Sequence, residues 1–178
     1  RASVAQACFA EGAVVGNDIS GFADPDYLPV AAAAGASVVA THIRLRPRVA
    51  DPNPEYDNVT VAVSEFLVDR RERARSAGIP DERIILDAGL DLGKTAEQSW
   101  QLLRDSATLA ELGSPLLLSA SNKTFLGVLF DEDVTNRRES SLAAAGLGIV
   151  GGCRVLRVHD VRGTVRVRDT LTAVWEAA

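Results

Sequence analysis

The chain has 178 residues, with 24 acidic against 19 basic side chains and a formal net charge of -5. That balance excludes the broad basic face a nucleic-acid partner needs, and no apolar run is long enough to span a bilayer. A hydrophobic share of 47% at this length supports one domain, residues 1–178, with its own core and an ordinary soluble composition.

Helix and strand signals alternate from end to end. Residues 1–11 read as a helix that enters without a cap. Ala13–Ile19 is a short apolar strand ending in Asn17-Asp18. Asp24-Pro25-Asp26 reads as a helix start, with Asp24 as the cap and Pro25 at the first helical position; this helix runs to Ala34, where Gly35 stops it. Ser37–Thr41 is the next strand. Ile43 to Asp57, with its prolines and arginines, is a long loop. A helix over about 58–77 ends at Gly78-Ile79-Pro80. Ile84–Leu86 is a strand, Thr95–Leu112 a helix and Leu116–Ala120 a strand. Residues 123–150 are helical with a break near Asp131–Asp133. Arg154–Val158 is the last strand and Thr164–Glu176 the last helix.

Successive β-α units predict a parallel sheet covered by helices. Both an open doubly wound sheet and part of a (β/α)8 barrel fit the pattern. A whole barrel takes about 250 residues, so on that reading the chain holds the C-terminal β-α units and the earlier strands are expected to precede it. Cys8 and Cys153 lack metal-ligand spacing and are expected to be buried thiols in a reducing cytoplasm; with two histidines in the chain, a zinc site is not expected.

Three apolar runs end in chemistry-bearing residues: Ile84 to Lys94, Ser119 to Gly127, and Arg154 to Asp160. A buried parallel strand that delivers side chains at its C-terminal end has this form. Asp87-Ala88-Gly89-Leu90-Asp91-Leu92-Gly93-Lys94 approaches a phosphate-binding loop but fails it, because Ala88 stands where that motif requires glycine. Asp87 can accept two N–H bonds from the amidine-like edge of a heterocycle; the plainer alternative is a helix cap, though Thr95 is distant. Asn17 can donate to and accept from such an edge, or simply serve the turn before Gly21. Ser121 and Lys123 offer a hydroxyl and a point charge at a helix start, or merely a cap and a surface lysine. Arg157 and His159 lie two apart on one strand face, and a charge inside an apolar strand calls for an anionic partner, from a ligand or from Asp160. His42, followed by Arg44, Arg46 and Arg48, gathers an anion or lines a solvated loop. Asp69-Arg70-Arg71-Glu72-Arg73 is expected to be a solvated helix face with internal ion pairs.

Taken in order, Asn17-Asp18-Ile19-Ser20-Gly21, Thr41-His42, the proline-rich loop to Tyr56, Asp87 to Lys94, Ser121-Asn122-Lys123 and Arg157-Val158-His159-Asp160 resemble the dihydropteroate synthase family of pterin-binding enzymes. The resemblance runs over nearly the whole chain. It implies a (β/α)8 TIM barrel with the site at the strand C-termini. It implies that Asn17, Asp87 and Lys123 bind the pterin, that Ser121, Lys123, Asn122 and Leu92 lie on the p-aminobenzoate side, and that Arg157 and His159 hold the pyrophosphate. The implied reaction condenses 6-hydroxymethyl-7,8-dihydropterin pyrophosphate with p-aminobenzoate in folate biosynthesis, with Mg2+ held outside this segment and a homodimer as the assembly.

The family pattern Asp-Pro-Gly-x-Gly-Phe-Gly-Lys is altered at Ala88, Asp91 and Leu92, and its Ser-Arg-Lys is altered at Asn122. Set against the resemblance, these changes imply a divergent second paralogue with pterin contacts kept and synthase activity weak, altered or lost, and the Ala- and Arg-rich, Lys-poor composition suits an actinobacterial type. An inactive pterin-binding or interaction protein is the alternative. The methyltetrahydrofolate-dependent corrinoid methyltransferases share the implied fold but lack the Ser-x-Lys and Arg-x-His pairs.

Overall fold

A computed structural model describes residues 1–177. The strands are β1 (Val15–Asp18), β2 (Ser37–Thr41), β3 (Ile84–Asp87), β4 (Leu116–Leu118) and β5 (Val155–Leu156). They form one sheet in chain order, every neighbouring pair parallel. Between and around them run α1 (Ala2–Ala10), α2 (Tyr27–Ala33), α3 (Val59–Ser76), α4 (Ala96–Arg104), α5 (Ser106–Ala110), α6 (Thr124–Val128), α7 (Arg138–Val150) and α8 (Val161–Glu176). The β-α alternation expected from the apolar runs is therefore observed. The central strands read as continuous apolar stretches because both faces are covered: Val38, Val39, Ala40, Ile84, Leu86 and Leu116 are all buried.

The helix starts explain themselves locally. Asn58 caps α3 by accepting from the amides of Thr60 and Val61. Thr95 and Gln98 form a reciprocal capping box on α4. This leaves Asp87 no capping duty.

Four sequence expectations are corrected. The helix expected from Pro25 begins at Tyr27, with Pro25 in a turn: one Asp24 carboxylate oxygen accepts from the Asp26 amide at 3.1 Å, and the other is drawn to the Ala2 amide of α1 at 2.7 Å. The helix expected over Thr95–Leu112 breaks at Asp105, whose carboxylate accepts from the Thr60 hydroxyl at 2.8 Å. Cys8 is exposed, while Cys153 is buried as expected. The Asp69–Arg73 face is not merely solvated: Arg70 stacks on Phe66 at 4.3 Å, Arg71 reaches Ser114 and Asp81, and Arg73 donates to the Phe22 carbonyl.

The sheet is curled, and apolar side chains stand in solvent near both of its edges. Val14 and Val15 are exposed on the β1 side, and Val161 and Val165 on α8 behind β5. No described helix is long and apolar enough to cross a membrane.

Candidate functional site at the strand ends

The C-terminal ends of the strands converge on one line of polar groups. The Asn17 amide nitrogen donates to the Thr41 hydroxyl at 3.3 Å, and that hydroxyl donates to the Asp87 carboxylate at 3.4 Å. Thr41 and Asp87 are register partners across β2 and β3, which fixes their adjacency. The second Asp87 oxygen accepts the Gly89 amide at 2.8 Å. Asp87 and Thr41 are buried, whereas Asn17 opens to solvent.

Arg157 completes the line from the far side. It follows β5, yet its guanidinium donates to the Asn17 carboxamide oxygen and, at 3.0–3.1 Å, to the Ser119 hydroxyl. First and last strands thus meet at the mouth. The expectation of a charge inside an apolar strand is corrected: β5 ends at Leu156, and Arg157 is exposed. Asp160 is not its partner; that carboxylate caps α8 at Gly163 and binds Arg138 at 2.8 Å. His159 shares a 2.9 Å hydrogen bond with the Ser121 hydroxyl. Burial pushes the half-buried Lys123 ammonium below its ordinary value, with Asp87 and Asp91 opposing the shift. Its Nζ donates to the Leu90 carbonyl at 2.6 Å.

The loop after β3 is built by two residues. The Lys94 ammonium, buried beneath it, donates to the carbonyls of Gly89 (2.9 Å) and Leu92 (3.1 Å) and meets His42 Nδ1 at 2.8 Å. His42, read from sequence as gathering an anion with its arginines or lining a solvated loop, is instead buried and engaged by Lys94. Asp91 adopts φ +65° and turns its carboxylate onto the first amides of α6, Thr124 at 2.5 Å and Phe125 at 3.4 Å. Its charge therefore caps a helix. Asn122 also sits at positive φ; its amide donates to Ser141, and its carbonyl accepts from Arg137. Ala88 is buried and Leu92 half-buried.

The structure thus gathers Asn17, Asp87 and Arg157 directly, places Lys123 against the same loop, and pairs Ser121 with His159. Sequence reading missed Thr41 and Ser119, which look like strand continuation, and the work of Lys94. A hydroxyl at the last position of an otherwise apolar strand was the available signal for Thr41.

Parallel strands joined by helices, with a carboxylate, a carboxamide, an amine and a guanidinium gathered beyond their C-terminal ends, define a β/α-barrel protein. Within that class the chain belongs to the family of pterin binding enzymes, whose model matches residues 1–159. It is 36% identical over 177 residues to a dihydropteroate synthase of Synechocystis sp., covering 98% of this chain and 61% of that protein. It is equally 36% identical over 179 residues to a Mycobacterium tuberculosis protein named inactive dihydropteroate synthase 2, covering 98% of this chain and 56% of that protein. The solved dihydropteroate synthase from Xanthomonas albilineans in complex with 7,8-dihydropteroate superposes with a TM-score of 0.91 at 35% identity, over 98% of this chain and 64% of that one. The chain therefore spans about three fifths of the curated relatives it matches, and its sheet is the corresponding part of a (β/α)8 barrel.

Proposed function

We propose that this segment carries the strand-end half of a dihydropteroate synthase-type site. The observation that supports it is the continuous line Arg157–Asn17–Thr41–Asp87 at one mouth, with Lys123 beside it. A buried carboxylate and a neighbouring carboxamide suit the mixed donor and acceptor edge of a pterin. Lys123 adds donors to the ring. Arg157 and His159 are both exposed at this mouth, where the guanidinium would offer the departing pyrophosphate a positive charge and the imidazole ring an N–H donor. In the reaction, the amine nitrogen of p-aminobenzoate forms a bond to the exocyclic methylene carbon while the bond from that carbon to pyrophosphate oxygen breaks. The amine proton is released. The chain's part is to orient the pterin and stabilise the leaving anion.

The residues here do not fit a Mg2+ site. No group of three or more His, Cys, Asp or Glu side chains comes together among the described residues, and Asp87 and Asp91 are already engaged by protein donors. No step is assigned to a metal. A homodimer and a cytoplasmic setting, the latter in keeping with two free thiols, belong to the same proposal.

A second reading is a pterin-binding paralogue without synthase activity. Asp91 favours it: its carboxylate fastens the loop after β3 onto α6, beside the p-aminobenzoate-side residues Asn122 and Lys123.

Titration calorimetry of the full-length protein with 6-hydroxymethyl-7,8-dihydropterin pyrophosphate, alongside Asp87→Ala, tests the shared core of both readings. Binding by the wild type that is lost in the variant supports a pterin site. A wild type that does not bind overturns both readings. Pyrophosphate release on adding p-aminobenzoate then separates them.

A further inference from the structure

Ser119 and Arg157 are set side by side by the sheet. Each stands one position beyond the register pair Leu118 and Leu156 of β4 and β5, and the Arg157 backbone amide donates to the Leu118 carbonyl at 2.9 Å. That bond fixes the base of the arginine. Its tip is fixed by the Ser119 hydroxyl oxygen, which accepts from Nε at 3.1 Å and from Nη2 at 3.0 Å, and by the Asn17 carboxamide oxygen, which accepts from Nη1.

The two holds differ in kind. Asn17 also donates to Thr41 and stands in the line that ends at Asp87, so a heterocycle lying along that line competes with Arg157 for the Asn17 oxygen. Ser119 has no such second duty: among the described residues its side chain bonds this guanidinium alone. It is also buried, closing the run Leu116-Leu117-Leu118, where a hydroxyl without a partner is costly. Arg157 in front of it is exposed.

This hold suits anion capture. A guanidinium has five N–H groups. Three are engaged here, which leaves one on each terminal nitrogen, enough for a two-point grip on a phosphate. The hydroxyl is neutral, so it fixes the tip without cancelling the charge, as a carboxylate in its place would. An exposed arginine left unheld would have to be ordered when the anion arrives, and that ordering subtracts from affinity.

We propose that Ser119 is the positioning residue for Arg157: its hydroxyl keeps the guanidinium at the mouth when a pterin claims Asn17, and so sets the affinity of the site for the pyrophosphate group of its ligand, a role that rests on reading Arg157 as a pyrophosphate residue. Ser119 acts from behind the arginine and does not itself contact the ligand.

The test is calorimetric titration of the full-length wild type, Ser119→Ala, Arg157→Met and the double variant with two ligands, 6-hydroxymethyl-7,8-dihydropterin pyrophosphate and the alcohol that lacks the pyrophosphate. Ser119→Ala should bind the pyrophosphate form about three- to tenfold more weakly than the wild type and the alcohol equally well. With Arg157→Met already present, Ser119→Ala should change neither affinity. Wild-type affinity for both ligands in Ser119→Ala, alongside a loss confined to the pyrophosphate form in Arg157→Met, overturns the role of Ser119 and leaves Arg157 as the anion residue. A loss in Ser119→Ala that is equal for both ligands, or that persists when Arg157→Met is present, shows a hydroxyl with a structural role only and also overturns it. A wild type that does not bind the pyrophosphate form more tightly than the alcohol, or an Arg157→Met variant that keeps that preference, overturns the reading of Arg157 and the role of Ser119 together.

Discussion

Arg157, which follows the last strand, donates to the carboxamide oxygen of Asn17 in the first. The two residues are 140 apart in sequence, and only a curled sheet brings them together. The contact presents the guanidinium at the mouth, held on its other side by Ser119. Its partners are neutral, so an arriving anion meets an uncompensated positive charge.

Arg157→Gln is therefore expected to weaken pyrophosphate binding about tenfold or more, because charge-assisted bonds are roughly twice as strong as neutral ones. It should also flatten the dependence of that binding on salt. The side chain is exposed, so unfolding stability should fall by about 1 kcal/mol or less. Titration with pyrophosphate at two ionic strengths checks the first two outcomes, and urea unfolding checks the third.

The buried pair of His42 and Lys94 predicts how stability follows pH. Burial, with Lys94 nearby, pushes His42 from 6.5 down to about 3. Burial likewise pushes Lys94 from 10.5 down to about 7, with Asp87 opposing. Between pH about 3 and 6.5 the unfolded chain holds a proton at position 42 that the folded chain does not, so stability contributed by His42 rises with pH through that window. Lys94 gives a second rise, from about 7 to 10.5. Burial of Cys153 (9.0 to about 11) and of Tyr27 and Tyr56 (10.0 to about 12) acts the opposite way, so the rise should turn over above pH about 9. In Lys94→Met the rise above pH 7 should disappear while that below pH 6.5 remains. Urea midpoints from pH 5 to 10 decide it; an unchanged slope in the variant would exclude Lys94 as the source.

Gly89 marks where the loop leaves β3. It has φ +63°, and a Cβ there would overlap the carbonyl oxygen of His42. That oxygen is backbone and has little room to yield. Gly89→Ala should cost more than about 3 kcal/mol, through strain and overpacking together. Gly12, at φ +97° with open space for 4 Å around the place a Cβ would take, is the control; its alanine variant should cost only about 1 kcal/mol. Thermal melting of both separates collision from backbone preference, and equal losses would refute the collision.

The strands and the end positions Asn17 and Asp87 were legible because an apolar run that stops at a polar residue is a local signal. Thr41 was not, since a hydroxyl suits a strand interior as well as a bridge between Asn17 and Asp87. The break at Asp105 and the late start of α2 depend on Thr60 and Ala2, partners 45 and 22 residues away. Arg70 and Arg73 read as a solvated face because their spacing is helical; Phe66 and the Phe22 carbonyl claim them through packing that no spacing encodes. Lys94 looked like a failed phosphate-loop lysine, and its real acceptors are carbonyls of its own loop together with His42.

Asp91 is where sequence and structure bear on activity together. Its carboxylate joins the loop after β3 to α6, and Lys123 closes the same joint through Leu90. Asp91→Ala removes the cap and leaves a non-glycine residue at φ +65°, so a loss of about 1–2 kcal/mol is expected. Asp91→Gly removes the cap but relieves the backbone, and should cost less than the alanine variant. Neither should abolish pterin binding, since the line from Asn17 to Asp87 does not pass through Asp91. If the clamp is what restrains turnover, Asp91→Gly combined with Asn122→Arg should raise pyrophosphate release from pterin pyrophosphate and p-aminobenzoate above the wild type. Release absent from both the wild type and this variant, with pterin binding intact in the same preparations, would assign the protein to the binding-only reading.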